Sequence, residues 1–597
     1  MGECAKCLFF FGAIAFFLLH LSPPRQMVSS SRSSDGLAAE VRAPTAGGEG
    51  EHWRAMRAQR EPAARARFWH LTDAHLNLWH DPHGDVRDMC RSPAPADTPA
   101  RAPGRFGHFN CDPSPSLLSL ALKHMAEVEP NPTFIALGGD DFGHVPASRE
   151  SAPSVAASQR RVAALVHEAF PHTPVLPAVG NHDTWPYFSL AGAGAARTEL
   201  AKLYGHHMTP SQREQLAALG YYEVRLRLPM PPVRTDAADE AGGQAGLGVG
   251  GSAALRVLVL ETNALSLREA NAEGSGGGGG GAADAQLRWL RARLERAVGA
   301  NESVVVLGHV APGASHVDYD SMAAAGWEGG GWTARAQAQL YRQLRREARR
   351  ARGSPVAAML FGHLHTGSVR LLPMRGAEGE RAGGSTEPPS AQAQIDGGLT
   401  PANAATATAT AASARASAPD PASAMEGSTA SMPVIHLSPS LTPRNPTPHA
   451  PAVRLYTLGW GARGGASGRG PDGATARAAL EEVGEYALDV DASNAIGKAV
   501  WRATPSLRAA LGLRRLDRAA EWMQWARDLA RNDSAFVAHM SAQRCADEVE
   551  ADYGRCKAAV LCAMVEPEPA PYARCLRRVS AAAVAPRGWT RATKRTP

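Results

Sequence analysis

The sequence predicts an α/β fold in which sheets and helices form layers. Short apolar and β-branched runs recur along the chain, and stretches with apolar residues at three- and four-residue spacing lie between them. A polar, glycine-bearing turn follows most of the runs. Strands that alternate with helices are typical of layered α/β proteins, in which polar groups collect at the carboxyl ends of the strands. Functional residues are therefore expected at those ends.

The predicted strands share a short apolar core that ends at a glycine or a polar residue. They are 67–73, 133–139, 174–180, 255–262, 303–309, 356–363, 432–438 and 453–459. The predicted helices share apolar residues on one helical face, and they are 114–128, 285–298 and 334–350.

Length and composition indicate a large folded domain with low-complexity inserts. The chain has 597 residues, of which 44% are hydrophobic, and this is enough for a substantial core. Blocks rich in glycine, alanine, serine and proline have too little large apolar surface to fold, and disorder is predicted near 236–252, 271–284 and 375–431. The predicted boundaries are a linker at 28–66, a main domain at 67–460 and a C-terminal region at 461–597.

The N-terminal segment and the net charge bear on location and partners. A lysine precedes an apolar run from Leu8 to about Leu21, which suits a signal peptide at 1–27 better than a membrane span of about 20 apolar residues. An uncleaved membrane anchor is the alternative. The net charge of +6 is spread along the chain, so a nucleic-acid duplex is not an expected partner. A secreted or endolysosomal protein is expected, and Asn301 and Asn532 begin candidate glycosylation sequences.

The cysteines fit an exported protein. Six remain once the signal segment is set aside, and an even number predicts three disulfides. Cys90 and Cys111 are expected to close one loop. The spacing of the C-terminal cysteines leaves their pairing open: Cys545, Cys556, Cys562 and Cys575. A zinc site in this cluster is the alternative, and the lack of a CxxC spacing argues against it.

Five of the predicted strands end in residues that commonly bind metals. In chain order these are Asp73 and His75, then Asp140, then Asn181 with His182 and Asp183, then His309, and then His363 and His365. Any one motif could be a helix cap, a turn or a chance histidine. All five offer oxygen or imidazole groups at strand ends, whereas unrelated caps would include serine, threonine and lysine. The set therefore predicts one shared metal centre.

A two-metal centre needs one carboxylate that both ions share, together with neutral imidazoles and further oxygen ligands. Asp140 is expected to be the shared carboxylate, because a cation would compensate the charge of the two aspartates that follow an apolar strand. Glycines precede Asp140, Asn181, His309 and His363, and they are expected to allow tight turns there. Imidazole-rich ligation favours two zinc ions, although manganese or ferrous iron would tolerate the same ligands.

The ordered motifs D-x-H, G-D, G-N-H-D, G-H and G-H-x-H resemble those of the calcineurin-like metallophosphoesterases. Within that superfamily the chain is most similar to the acid sphingomyelinase-like phosphodiesterases, through LTDAHL, GRFGHFNCDPSPSLL, PAVGNHDTWP, LETNAL and GHVAPG. The resemblance spans about 68 to 576. It implies a four-layer αββα sandwich with a small helical, disulfide-bonded C-terminal region.

The resemblance also implies disulfide pairs and a role for each site residue. The C-terminal pairs would be Cys545 with Cys556 and Cys562 with Cys575. One ion would be held by Asp73, His75, Asp140 and His365, and the other by Asp140, Asn181, His309 and His363. His182 would contact the scissile phosphate, His144 would lie near the leaving group, and Asp183 would orient His182. Either His144 or His182 could be the general acid.

The activity that the resemblance implies is hydrolysis of phosphodiester or phosphoanhydride bonds in nucleotides or phospholipid-type headgroups. Trp185, Pro186 and Tyr187 could stack on a nucleobase or line a headgroup slot, and ordinary loop packing explains them equally well. The segment 29–67 has no cysteine and so no cysteine-rich lipid-extracting domain, which favours a small phosphodiester over lipid in a bilayer. Peripheral membrane contact is a further alternative.

Three other functions fit the same motifs. The protein could be a sphingomyelin phosphodiesterase, or it could be a phosphomonoesterase or polyphosphatase on the same scaffold. A non-catalytic secreted binding protein is the third alternative, and the complete set of ligands argues against it because a decayed site would usually lose one.

Overall fold

In the computed structural model the described residues are 64–93, 103–190, 192–229, 252–266, 279–315, 331–351, 353–372, 432–443, 449–460, 477–540 and 550–580. The predicted signal segment 1–27 and the predicted insert 375–431 lie outside these ranges, as do positions 28–63 of the predicted linker and 236–251 of another insert. No helix in the described ranges is long and apolar enough to cross a membrane.

The strands of the described chain are numbered in chain order. They are β1 (Ala64–Leu71), β2 (Phe134–Leu137), β3 (Val175–Pro177), β4 (Tyr222–Pro229), β5 (Ser252–Val259), β6 (Ser303–Leu307), β7 (Val356–Phe361), β8 (Ser368–Leu371), β9 (Val434–Leu437), β10 (Ala452–Trp460), β11 (Ala479–Leu488) and β12 (Trp501–Thr504). Every predicted strand is present, whereas β4, β8, β11 and β12 were not predicted.

The α-helices are numbered in the same way. They are α1 (Pro115–Val128), α2 (Ala152–Ala169), α3 (Ala193–Tyr204), α4 (Pro210–Leu219), α5 (Gly279–Gly299), α6 (Ala334–Arg350), α7 (Val490–Ile496), α8 (Leu507–Ala510), α9 (Ala519–Arg531), α10 (Asp533–His539), α11 (Glu550–Val565) and α12 (Pro569–Ser580). The three predicted helices correspond to α1, α5 and α6.

Two six-stranded sheets form the centre of the structure. Their strand orders are β12-β11-β10-β1-β2-β3 and β4-β5-β6-β7-β9-β8. Strands β1, β2 and β3 run parallel, as do β5, β6, β7 and β9, so their carboxyl ends meet at common edges. Such edges are where open α/β sheets carry their binding residues.

The core confirms the four-layer αββα arrangement. One cluster of buried residues joins Phe134 and Leu455 of the first sheet to Val257 and Leu360 of the second, so the two sheets pack face to face. The same cluster includes buried residues of α1 and α2. Alternate residues of the second sheet, such as Leu258, pack with α5 and α6 in a separate cluster. Helices therefore cover both outer faces.

The region after position 460 is not wholly helical, and this corrects the predicted boundary. Strand β11 pairs antiparallel with β10 along most of its length, and β12 pairs with β11. Glutamates at 481, 482 and 485 interrupt the apolar pattern of β11 in the sequence, which explains why the strand was missed. Helices α9 to α12 follow and form the C-terminal helical region.

The disulfides agree with the expected pairing where they are described. Cys90 is bonded to Cys111, and Cys562 is bonded to Cys575. Cys556 also takes part in a disulfide. Cys545 lies outside the described residues, so its pairing with Cys556 stays a prediction.

One predicted insert is partly helical. Helix α5 begins at Gly279, so the last positions of the insert predicted at 271–284 belong to its first turns. The side chain of Asp284 accepts hydrogen bonds from Arg335 Nη2 at 2.6 Å and Gln339 Nε2 at 3.3 Å, and these bonds link α5 to α6. A glycine and alanine run has no amphipathic period, so this helix start could not be predicted from the sequence.

Candidate metal centre

The loops that follow β1, β2, β3, β6 and β7 meet at one place. The backbone N–H of Asp73 donates to Gly139 O at 3.0 Å, and that of His75 donates to Asp140 O at 2.8 Å, so the first two loops lie side by side. All seven predicted ligands come together there. Apart from His363, which is half-buried, each is buried, with at most 5% of its surface exposed: Asp73, His75, Asp140, Asn181, His309 and His365.

Two groups of ligand atoms lie next to each other. In the first group the ligand atoms of Asp73, His75 and His365 lie within 4.8 Å of one another. The ring nitrogens Nε2 of His75 and His365 are 3.1 Å apart, and His365 Nε2 is 3.3 Å from Asp73 Oδ1. This group could hold one cation.

The second group contains Asp140, whose carboxylate also lies close to His75 of the first group. The ligand atoms of Asp140, His309 and His363 lie within 4.8 Å of one another, and His309 Nε2 is 2.9 Å from Asn181 Oδ1. Asp140 Oδ2 is 3.1 Å from His309 Nε2 and 3.4 Å from His75 Nε2. Its carboxylate thus stands where two neighbouring cations would share a ligand.

The protonation of two histidines shows that the site suits cations. His75 Nδ1 faces Phe142 O at 3.0 Å, and His309 Nδ1 faces Gly138 O at 2.8 Å. A carbonyl oxygen only accepts, so each Nδ1 carries a proton and each Nε2 of a neutral ring presents a lone pair. Each Nε2 faces carboxylate, amide or imidazole groups, so a bound cation would replace any proton on Nε2 and be coordinated by its lone pair.

Electrostatics agree with this interpretation. Burial lowers the pKa of His309, but Asp140 and Asp73 raise it more strongly, and the resulting pKa is about 10. The buried carboxylates therefore favour a positive charge at this position. Neutral imidazoles with carboxylate and amide oxygens form a donor set that fits two divalent ions such as zinc.

The backbone of the ligands is unusual. Asp73, His75, Asp140, His363 and His365 all have positive φ, between 41° and 68°. Non-glycine residues in this left-handed region cost on the order of 1–3 kcal/mol each and persist where the surroundings impose them, often at active sites. The ligands therefore sit on strained turns that strand ends and hydrogen bonds hold in place.

The glycines before the ligands serve two different purposes, whereas the sequence predicted tight turns at all of them. Gly139, before Asp140, has φ of 88° and makes a tight turn as predicted. Gly180, Gly308 and Gly362 do not have positive φ. A Cβ atom at Gly180 would lie 2.1 Å from Asp140 Oδ1, and one at Gly362 would lie 2.3 Å from Asp73 Oδ2. These glycines let carboxylates approach the backbone closely.

Asp183 differs from its predicted role. Its Oδ2 accepts hydrogen bonds from the backbone N–H of Gly180 and of Asp140, each at 2.8 Å, and its Oδ1 accepts one from Asp141 N at 2.8 Å. A carboxylate that binds three backbone donors holds the loops rather than the His182 ring. His182 is placed through its own N–H, which donates to Asp140 Oδ1 at 2.7 Å.

His144 has a partner that the sequence did not reveal. The carboxylate of Asp112 accepts hydrogen bonds from His144 N at 2.6 Å and from Thr442 Oγ1 at 3.0 Å, and it lies 3.0 Å from His144 Nδ1. Burial raises the pKa of Asp112, but His144 lowers it more strongly, so this carboxylate stays charged. In the sequence this position belongs to the GRFGHFNCDPSPSLL stretch, which carries the resemblance but assigned no role to Asp112.

His144 and His182 lie together beside the first ligand group. The His144 ring stacks on His75 with centroids 4.1 Å apart, and it lies 4.6 Å from the His182 ring. The Tyr187 ring lies 4.5 Å from His182, and Tyr187 OH accepts a hydrogen bond from Asn181 Nδ2 at 3.0 Å. Trp185 and Tyr187 are 44% and 39% exposed, and the contact of Tyr187 with Asn181 places its exposed ring beside the ligands.

A second residue that was missed supports Asn181. Asn263, in the LETNAL stretch, donates from Nδ2 to Gly180 O at 3.1 Å. Its own N–H donates to Glu261 Oε1 at 3.1 Å, and both side chains are buried. The stretch was recognised only as part of a resemblance, because a contact between residues so far apart in the chain leaves no local pattern.

The chain combines a four-layer αββα fold with oxygen and imidazole groups at its strand ends, and its sequence is similar to those of several phosphodiesterases. The chain is 27% identical over 313 residues to acid sphingomyelinase-like phosphodiesterase 3b of Homo sapiens, covering 52% of this chain and 59% of that protein. It is 33% identical over 125 residues to a cyclic GMP-AMP phosphodiesterase of Homo sapiens, covering 21% and 27%. It is 26% identical over 254 residues to sphingomyelinase phosphodiesterase C of Dictyostelium discoideum, covering 42% and 50%.

These relatives confirm the resemblance to the acid sphingomyelinase-like phosphodiesterases. The matched region spans just over half the length of the first of these curated relatives. A dimetal phosphatase of Danio rerio aligns at 14% identity over 51% of this chain and 83% of that chain, with a TM-score of 0.29, too low to define a shared fold. No family model matches the chain.

The close approach at Gly180 generates a prediction. Gly180→Ala should lower the amount of bound metal by at least about 10-fold, because the added methyl group would displace the carboxylate of Asp140. Removing a residue that holds a metal ligand in place typically lowers metal affinity by this amount. Gly299→Ala, at the end of α5, is the matched control, since nothing lies within 4 Å of its added Cβ. Metal per chain after dialysis is measured by plasma mass spectrometry. Equal metal content in the two variants would contradict the prediction.

Proposed function

We propose that the protein is a two-metal phosphodiesterase. The observation that supports this most strongly is the shared position of Asp140, whose Oδ2 lies 3.1 Å from His309 Nε2 and 3.4 Å from His75 Nε2. Two adjacent cation sites next to two further histidine rings, those of His144 and His182, suit the hydrolysis of a phosphate ester. Zinc is the proposed metal, and manganese or ferrous iron would fit the same donors.

Different residues of the chain orient the ligand rings and hold the loops that carry the ligands. When bound, two divalent ions would supply the charge that activates water and stabilises a phosphoryl transition state. The carbonyl oxygens of Phe142 and Gly138 orient the rings of His75 and His309. Asp183 holds the two backbone segments that carry Asp140 and Asn181 at a constant separation. The reacting groups are therefore positioned before a substrate arrives.

His144 is the proposed proton donor to the leaving group. Its ring is partly exposed, and the buried Asp112 carboxylate lies on its Nδ1 side, which leaves Nε2 for the substrate. A carboxylate on one nitrogen fixes the orientation of the ring. His182 lies deeper, beside Asp140 and Tyr187, and we assign it to a phosphate oxygen.

The proposed substrates are nucleotides or other small phosphodiesters. The exposed ring of Tyr187 beside the ligands, and the exposed ring of Trp185 two residues earlier in the same loop, suit stacking on a flat base. Relatives named as a cyclic GMP-AMP phosphodiesterase and as sphingomyelinase phosphodiesterases support a phosphodiester in general. A phospholipid headgroup is the second candidate. The disulfides support export through the secretory pathway to the outside or to an endolysosomal compartment.

The activity can be tested with paired chromogenic substrates. The purified protein should hydrolyse bis-p-nitrophenyl phosphate with a higher kcat/KM than p-nitrophenyl phosphate. Asp140→Asn should lower the diester rate by more than about 100-fold, because it removes the shared ligand rather than an outer partner. Asp141→Asn is the matched control, since the neighbouring carboxylate belongs to neither ligand group, and it should stay within about 3-fold.

The other outcomes separate the alternatives. A faster rate on the monoester would favour a phosphomonoesterase. Metal-loaded protein that hydrolyses neither compound, nor ATP, CDP-choline, a cyclic dinucleotide or sphingomyelin at acidic and neutral pH, would favour a binding protein and contradict the proposal.

The role of His144 predicts a dependence on the leaving group. His144→Gln should lower kcat by about 100- to 10,000-fold for a dialkyl or nucleotide diester, whose leaving group needs a proton. The loss should be much smaller for bis-p-nitrophenyl phosphate, whose leaving group is stable without one. His182→Gln should slow both substrates alike. Equal losses for both substrates in His144→Gln would rule out proton donation by this residue.

A further inference from the structure

A cavity that none of the proposed ligands lines lies near the metal centre, and the ring of His449 in its wall is 6.4 Å from the ring of His365. Its volume is about 540 Å³, and it is bounded by β8, β10 and β11 on one side and by α8, α9 and α11 on the other. Ser368, Ala452 and Ala487 contribute to the sheet side. None of the seven proposed metal ligands lines it. The sites of small molecules in proteins commonly have volumes of about 300–1,000 Å³, so its size suits a ligand.

The wall of this cavity is largely apolar and aromatic. The helical side is formed by Leu507, Leu511, Trp522, Trp525, Val537 and Met564. The Trp522 and Trp525 rings meet edge to face, with centroids 5.7 Å apart. Such a wall favours the apolar body of a ligand, because contact with it removes apolar surface from water.

The charges in the wall compensate each other. Arg454 donates from Nε and Nη2 to Glu485 Oε2, at 2.9 and 2.7 Å, and from Nη1 to Leu437 O at 3.0 Å. His449 Nε2 lies 2.8 Å from Ser440 Oγ. A charged ligand would lose its hydration here without gaining a counter-ion, so the chemistry selects against it.

One buried polar side chain in the wall has unused hydrogen-bonding capacity. His436 lines the cavity and is 1% exposed, and neither of its ring nitrogens has a hydrogen-bond partner within the described part of the chain. Burial lowers its pKa to about 3, so the ring is neutral and offers one donor and one acceptor. Buried polar groups are normally paired, so a ligand group is the expected partner.

We propose that this cavity binds an uncharged amphiphile whose apolar chain packs on Trp522 and Trp525 and whose hydroxyl or amide group bonds His436. The proposal does not depend on the activity of the metal centre. It predicts one ligand per chain and selectivity for neutral over charged head groups at equal chain length.

Photo-labelling of the full chain tests the proposal. A monoacylglycerol that carries a diazirine in its acyl chain should label the protein saturably, with adducts on peptides that contain Leu507–Leu511, Trp522–Met540 or Met564. Unlabelled monoacylglycerol should compete at least about 10-fold better than a fatty acid or an alkyl ammonium ion of equal length. Labelling elsewhere, labelling that does not saturate, or stronger competition by a charged compound would overturn the proposal.

Variants separate this site from general lipid adsorption. Ala487→Trp fills the cavity and should reduce labelling at least about 10-fold, whereas Ala479→Trp, in the same strand but outside the wall, should not. If Ala487→Trp unfolds the protein, Leu511→Trp fills the space from the helical side. His436→Phe should weaken the monoacylglycerol several-fold while leaving the binding of a plain alkane unchanged. Full labelling of a folded, filled variant would contradict the proposal, as would His436→Phe with unchanged selectivity.

Discussion

The carboxylate of Asp140 is the interaction on which the rest of the site depends. One oxygen faces both groups of imidazoles, and the other accepts the backbone N–H of His182. The backbone of Asp140 is in turn held by Asp183, which also binds Gly180. A buried carboxylate is unfavourable unless positive charge joins it, and the raised pKa of the neighbouring His309 reflects this preference. Cations bound beside Asp140 would supply the same positive charge.

The fold supplies the backbone that this unit requires. Parallel strands from two facing sheets bring their carboxyl ends together, and the ligands occupy the first turns after those strands. Five ligands in the left-handed region store strain that a flexible loop would release. The buried sheets and the close approaches at Gly180 and Gly362 prevent that release. The packed core therefore holds the strained ligand turns in the conformation that the site needs.

The ligand set could be predicted from sequence because it is a pattern of local motifs. Each motif follows an apolar run, and parallel strands place such ends side by side whatever the loops between them contain. Strand β4 was predictable, because charged and apolar residues alternate with the period of a strand in Tyr222–Pro229. Strand β11 was not, because charged residues crowd Ala479–Leu488. Strands β8 and β12 have four residues each, which is too few to show the alternating pattern of a strand in the sequence.

Roles that depend on contacts across the fold were not predictable in the same way. Asp183 was assigned to the neighbouring ring of His182, yet its oxygens reach the backbone of another loop. Asp112 meets His144 and Thr442 only once three distant segments have folded together. The sequence shows which side chains can bind a metal or carry a proton. The hydrogen-bond partner of a buried polar group depends on the tertiary structure.

Anomalous diffraction from crystals grown with zinc tests the central claim most directly. Data collected on both sides of the zinc edge should show two peaks about 3.5–4 Å apart, with the Asp140 carboxylate between them, as in two-metal phosphoesterase sites. A single peak, or two peaks that do not share Asp140, would contradict the account.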